Sequence, residues 1–223
     1  MIPAFHPRPE QLPPTFPIFP LPGALLLPGG RLPLNIFEPR YLAMVEDALA
    51  AGRMFGMIQP DAARPATPAG PALYRVGCLG RLSAFGETED GRFLITLTGL
   101  TRFVAAEEIG ARRGYRRVQA DFSPFTADLE PRDEPLDIDR QELLDLLRRY
   151  FAARNLQADW EAVNAMGDAA LVVTLAAVCP FEVAEKQALL EAPTPQDRAA
   201  SLLALLRMGA HLDGQDRPGR RVS

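Results

Sequence analysis

Apolar positions follow two different rhythms along this chain. Up to about residue 125 they come as short unbroken runs or alternate with a period of two, which predicts strands; beyond about residue 136 they recur at helical spacing. From Tyr74 the alternation is regular, with Val76, Cys78, Gly80, Leu82 and Ala84 on one strand face. Asp90-Gly91 then supplies a hairpin turn, because the favoured two-residue turn needs positive φ. The next strand, Arg92 to Thr98, sets Phe93, Ile95 and Leu97 against threonines, and Gly99 marks a bulge or corner. Two more strands are expected at Arg102 to Glu107 and Arg116 to Phe122, the second with Val118, Ala120 and Phe122 on one face. A short buried strand at Phe55 to Ile58 completes a mostly antiparallel sheet closing into a barrel.

The segment Phe16 to Tyr41, FPIFPLPGALLLPGGRLPLNIFEPRY, is the densest in information. Proline fixes φ and removes a backbone donor, so it is kept out of central strands. Pro17, Pro20, Pro22, Pro28 and Pro33 therefore predict short edge strands joined by stiff turns. Glu38-Pro39 reads as a helix start, since proline suits the first helical position and a carboxylate suits the positive end of the dipole. The helix runs from Pro39 to Ala51, with Leu42, Val45, Ala48 and Leu49 at helical spacing and Gly52 at its end.

Thr126 to Pro135, TADLEPRDEP, reads as an acidic linker. After it, Asp139 and Glu142 fit an N-cap and its third residue, ahead of the stripe Leu143, Leu144, Leu147, Tyr150 and Phe151. Trp160 falls in a connecting piece. A helix capped by Asp168 runs through Ala177, Pro180 opens another, and Thr194-Pro195 with Asp197 caps a last helix ending near His211. The expected organisation is a loose arm over 1–15, a barrel over 16–125, a linker over 126–135, a helical bundle over 136–211 and a disordered tail over 212–223.

Composition narrows the function. With 223 residues, 48% of them hydrophobic, the chain can bury one substantial core or two modest ones. A net charge of −4 argues against a general nucleic-acid or membrane-surface binder. Lys186 is the one lysine among 24 basic residues, as a biased base composition would produce. Arg112, Arg113, Arg116 and Arg117 form the one candidate nucleic-acid patch, but alternate residues of a strand point to opposite faces and only Tyr115 accompanies them. Cys78 and Cys179, far apart in apolar runs, read as buried reduced thiols, with a disulfide as the alternative. The chain start lacks a basic region followed by an unbroken apolar run, and no apolar run is long enough to span a bilayer; a soluble cytoplasmic protein is expected.

No catalytic constellation emerges. There is no phosphate loop ending in Gly-Lys-Ser/Thr and no nucleophile elbow. None of Ser83, Ser123, Ser201 and Ser223 has a histidine near it in sequence, and His6 and His211 sit at opposite ends, too far apart for a zinc motif. Adjacent acids such as Glu107-Glu108 and Asp133-Glu134 read as solvated charges. The expectation is a protein that is not an enzyme and uses no cofactor or metal.

Three segments carry a family resemblance. FPLPGALLLPGGRLPLNIFEPRYLAMVEDAL, VGCLGRLSAFGETEDGRFLITLTGLTRFVAAEE and EKQALLEAPTPQDRAASLLALL together resemble the Lon protease N-terminal, substrate-binding domain family over roughly residues 15 to 210. The resemblance implies a PUA-like barrel followed by a helical bundle, an α+β fold in agreement with the residue reading. It also implies a stand-alone recognition domain without the ATPase and Ser–Lys peptidase domains of full-length Lon. The function it implies is binding of unfolded or tagged proteins or peptides, as an adaptor in quality control that acts with a separate Lon-type protease. The matching positions expected to bind are Phe37, Glu38, Arg40 and Tyr41, at the junction of strand and helix. A purely structural role stays open for them: Phe37 as core, Glu38 as cap, Arg40 as its ion-pair partner. RNA binding is the alternative function, because PUA-like barrels of other families bind RNA; the acidic charge counts against it.

Overall fold

The proline-bearing run Thr15–Pro20 forms strand β1 and lies inside the sheet, contrary to the edge position its prolines predict. In the computed structural model, which describes residues 7–130 and 135–211, β1 pairs with β6 (Tyr115–Asp121) over Thr15 to Ile18 and with β3 (Met54–Ile58) over Ile18 to Pro20. Ile18 alone is paired on both sides. Pro17 and Pro20 each have one neighbouring strand, so the missing donors interrupt neither ladder. The tail 212–223, residues 1–6 of the expected arm and residues 131–134 of the expected linker lie outside the described residues.

The remaining strands are β2 (Arg31–Ile36), β4 (Val76–Glu87) and β5 (Phe93–Arg112). The sheet order is β2-β5-β4-β3-β1-β6, and β6 also pairs with β5. Five strands thus form a circuit of ladders, while β2 extends the sheet beyond it, so the expected simple barrel is a circuit with a three-stranded flap. All ladders are antiparallel except β1–β3. The two strands expected at Arg92 to Thr98 and Arg102 to Glu107 are one long strand, bent where Gly80 pairs Gly99 and Leu79 pairs Thr101. A second irregularity between Leu82 and Ala84 turns Ala84 out to solvent, off the face that carries Cys78 and Leu82.

Close approach dictates two glycines. The loop before β2 buries Leu25, Leu26 and Leu27 and lies against the bend of β5, where Gly99 N–H donates to Gly30 O at 2.9 Å. A Cβ on Gly99 would meet Leu27 O at 2.0 Å. Inside the circuit, Phe103 packs edge-on against Phe16 with ring centroids 5.0 Å apart, and a Cβ on Gly77 would meet the Phe103 ring at 2.5 Å.

Helix α1 (Pro39–Ala50) follows β2; the helical part holds α2 (Arg140–Ala153), α3 (Trp160–Ala165), α4 (Asp168–Val178), α5 (Val183–Glu191) and α6 (Pro195–His211). Asp139 caps α2 by accepting from Glu142 N–H at 3.0 Å, and Thr194 and Asp197 exchange bonds at the start of α6, as the sequence indicates. Trp160 is the first residue of α3, with Asp159 as its cap, so it belongs to a helix and not to a connector. Gly167 occupies the N-cap position of α4, and Asp168 is free to pair with Arg140. Pro180 precedes its helix by three residues, because Glu182 and Glu185 form the capping box that starts α5.

Two hydrophobic clusters result. Phe16, Ile18, Leu79, Leu100, Phe103 and Val118 fill the strand circuit. The larger cluster joins the outer face of the sheet to α1 and the bundle, bringing Leu82 and Leu97 together with Leu147, Leu175 and Leu202. Polar contacts cross the same boundary. Lys186 Nζ on α5 donates to Gly23 O at 2.7 Å and to Ala177 O at 3.0 Å, and Gln187 Nε2 donates to Val76 O at 3.0 Å.

Candidate functional site

The four residues expected to bind lie where β2 feeds α1, and the structure divides them. Ile36 turns into the core, so Phe37, one residue on, points away and is 61% exposed. The Arg92 guanidinium lies 5.9 Å from its ring centroid. Glu38 occupies the N-cap position of α1 without a side-chain capping bond and instead accepts from Arg40 Nε at 3.0 Å and Nη2 at 2.8 Å. Arg40 also lies 4.6 Å from the centroid of the Tyr41 ring. Tyr41 is buried and packs against Phe19 with the rings tilted by 37° and their centroids 4.1 Å apart. Burial raises its phenol pKa, with the nearby Arg40 charge opposing the shift. Phe37 and the Glu38–Arg40 pair therefore face solvent together, while Tyr41 anchors the helix start from beneath.

Phe37 continues an exposed apolar stripe that the alternation in the sequence only hinted at. Leu94 is 52% exposed and pairs across the ladder with Asn35, two residues before Phe37. Its position on the threonine side of the strand, with Thr96 and Thr98, was the available signal: an isolated large apolar residue on an otherwise polar face. An open groove of about 600 Å³ runs over this face, bordered by Pro33, Ala84, Leu94 and Thr96. Phe85, also exposed, pairs with Ile95 on the other face and packs edge-on against Phe93 with centroids 5.1 Å apart.

Three of the four arginines of the cluster are engaged by acids, and Arg117 is in no ion pair among the described residues. Arg113 binds Glu46 at 2.7 Å and Asp47 at 3.0 Å, Arg112 approaches Asp47 at 3.3 Å, and Arg116 pairs with Glu108. The Tyr115 hydroxyl donates to Asp47 at 2.6 Å, which lowers the carboxyl pKa, while burial raises the phenol to about 12. Arg112 and Arg113 tie α1 to the β5–β6 hairpin, and Arg116 pairs within the hairpin. Among the described residues Arg117 is left as the one uncompensated charge of the four to offer a polyanion.

Neither cysteine is in a disulfide, and both are buried. Burial pushes the Cys179 thiol up to about 12 and the Cys78 thiol further, so neither is a ready nucleophile. Lys186 is 6% exposed, and its desolvation lowers its pKa. Among the described residues no helix is long and apolar enough to cross a membrane, and no group of His, Cys, Asp and Glu could hold a metal ion.

A strand circuit with a flap, packed on a helical bundle, makes this an α+β domain that carries an exposed apolar face. The chain belongs to the ATP-dependent protease La (LON) substrate-binding domain family, whose model matches residues 15–208. Its relatives include Lon protease 2 of Myxococcus xanthus, 26% identical over 202 residues, and the Lon protease of Flavobacterium johnsoniae, 23% identical over 209 residues. These alignments cover 88% and 89% of this chain but 24% of each relative, so the chain spans about a quarter of the length of the proteins it resembles. The fold is also that of the Lon N-terminal domain protein from Xanthomonas campestris, at a TM-score of 0.57 and 25% identity, covering 85% of this chain and 97% of that one. The N-terminal domain of Mycobacterium avium complex Lon protease matches with the same TM-score at 17% identity, covering 86% and 98%, a likeness of fold alone. The matched region is the substrate-binding domain and not the protease domain.

Proposed function

We propose that the chain is a non-catalytic recognition module that holds segments of unfolded or tagged proteins and, as an adaptor in cytoplasmic quality control, presents them to a Lon-type protease. One observation carries the reading: in a substrate-binding family, Phe37 and Leu94 stand on one face, 61% and 52% exposed. Large apolar side chains displayed together are a cost to a solitary soluble protein and an asset to one that captures exposed apolar segments. Phe37 supplies apolar contact area, Glu38 and Arg40 supply a polar rim beside it, and Tyr41 fixes the helix start that presents all three. The reading assigns no hydrolytic step to this chain.

The test is retention of chemically unfolded client proteins on the immobilised full chain. Phe37→Ser and Arg40→Ala are expected to reduce retention several-fold while the melting temperature stays near that of the wild type, since surface changes cost within about 0.5 kcal/mol. Equal retention by wild type and both variants would remove these residues from the site. A wild type that retains no client would remove the reading itself.

A further inference from the structure

The groove over the three-stranded flap has a direction. Cross-strand pairing aligns its residues in rows on one face: Arg31 and Arg81 both pair with Thr98, Pro33 and Ala84 both pair with Thr96, and Asn35 and Gly86 both pair with Leu94. Phe37 follows one residue past the end of β2. From Arg31 to Phe37 the stripe runs about 20 Å, the length of roughly six extended residues. The Phe37 end is aromatic, with Arg92 beside the ring but paired to Asp90 at 2.8 Å; the middle sets Pro33, Ala84 and Leu94 among Thr96 and Asn35; and the other end is basic. None of the three rows holds a carboxylate, although the chain as a whole carries a net charge of −4. Arg31 is exposed and is in no ion pair among the described residues.

We propose that this face docks an extended polypeptide segment whose apolar side chains cover Phe37 and Leu94 and whose acidic side chain, at one end, pairs with Arg31. The inference rests on the protein-binding reading above and adds to it the face, the polarity and the chemistry of the segment. An extended segment suits the surface because the strip is long, shallow and open, with no enclosed pocket for a compact group. Pro33 removes a donor from the outer strand, so the face and not the β2 edge is the contact surface. An acidic side chain is the charge complement of the Arg31 end. A terminal carboxylate would call for converging backbone N–H donors, and the flat rows of paired strand residues supply none. The flank also discriminates, because a basic residue at the same place would face Arg31.

The experiment uses the full chain and a fluorescein-labelled dodecapeptide with three aromatic residues at alternate positions and two glutamates at one end, read by fluorescence anisotropy. A second peptide replaces both glutamates with glutamine. Wild type is expected to prefer the glutamate peptide by about fivefold, the scale of an exposed ion pair. Arg31→Ala is expected to erase the preference, and Arg31→Glu to reverse it in favour of a lysine version. Leu94→Ser is expected to weaken all peptides by about tenfold, as for a central apolar contact. Both positions are exposed, so circular dichroism serves to confirm that the variants fold. Equal affinity of wild type, Arg31→Ala and Leu94→Ser for the glutamate peptide would overturn the inference, and so would a wild type that binds no peptide. If clients are still retained in the pull-down, the general reading survives that loss. A Leu94→Ser variant that turns a sedimenting dimer into a monomer without changing peptide affinity would assign the face to a second copy of the chain and overturn the inference as well.

Discussion

Arg102 and Asp128 meet as a forked ion pair inside the protein, Nε to Oδ2 at 2.8 Å and Nη2 to Oδ1 at 3.0 Å, with side chains 3% and 1% exposed. Arg102 lies on the bent strand β5 and Asp128 in a tight 3₁₀ segment just after β6, within the region that reads as a linker. The same guanidinium donates from Nη1 to Leu190 O at 3.2 Å and Ala192 O at 2.7 Å, at the end of α5. One side chain therefore joins the strand circuit, the connecting segment and the bundle.

Removing one member strands the other as an uncompensated buried charge. Asp128→Ala is expected to cost about 3–5 kcal/mol, read from the midpoint shift in urea at an unchanged slope. Exposed pairs such as Arg148–Asp145 should cost under about 1 kcal/mol by the same measure. A loss at Asp128 no larger than at Asp145 would show that the pair is not the joint described here.

Gly99 tests the fit of the β2 loop. An added Cβ would sit 2.0 Å from Leu27 O and 2.8 Å from its carbonyl carbon, both backbone atoms that cannot swing aside. Gly99→Ala should lower stability by about 2–3 kcal/mol through overpacking. At Gly80 the nearest atom is the end of the Leu26 side chain at 2.7 Å, which can rotate, so Gly80→Ala should cost about half as much or less. Thermal unfolding of the two variants side by side decides the ranking.

These joints explain which parts of the molecule were legible in the sequence. The β5 face of Phe93, Ile95 and Leu97, the Asp139 and Thr194 caps and the start of α1 at Pro39 follow from local rules of period and capping, and they appear where those rules place them. The hairpin turns at Asp90-Gly91 too, but as a longer loop from Thr88 to Arg92 in which Gly91 alone has positive φ, and Ala84 leaves its expected face. The central position of β1 did not follow, because the offset of two ladders around Ile18, a long-range property, is what accommodates Pro17 and Pro20. The linker reading failed at Asp128 for a similar reason. An acid among prolines looks solvated until its partner, 26 residues earlier in the chain, is known. The exposure of Leu94 does not follow from alternation either, because alternation assigns a face by its majority, here Thr96 and Thr98.

Tyr115 and Asp47 predict a pH dependence on the alkaline side. The folded-state phenol titrates near 12, above its ordinary value of 10.0, mainly through burial and then through its bond to Asp47. Between about pH 10 and 12 the unfolded chain loses this proton while the folded chain keeps it, so stability is complete below pH 10 and falls as pH rises toward 12. Tyr41 and Tyr150, raised by burial too, add in the same direction. Tyr115→Phe should flatten the decline without abolishing it. Chemical denaturation at pH 9, 10 and 11 is the measurement; an unchanged slope against pH in the variant would remove Tyr115 from the account.

The two thiols report whether sheet and bundle open together. Cys78, on β4, and Cys179, at the end of α4, are 0% and 1% exposed and belong to the one hydrophobic cluster that spans the boundary. The attacking species is the thiolate, and burial keeps both groups protonated, so a thiol reagent can reach them only through an opened state. If the bundle peeled away on its own, Cys179 would react well ahead of Cys78. Because Arg102, Lys186 and Gln187 bond across the boundary, one opening event should expose both, and their labelling rates should agree within a small factor at pH 8. Asp128→Ala should then speed both by about a hundredfold or more, the rate equivalent of about 3 kcal/mol at tenfold per 1.4 kcal/mol. Mass spectrometry of singly and doubly labelled chains separates the cases, since accumulation of a species labelled only at Cys179 means that the bundle opens alone.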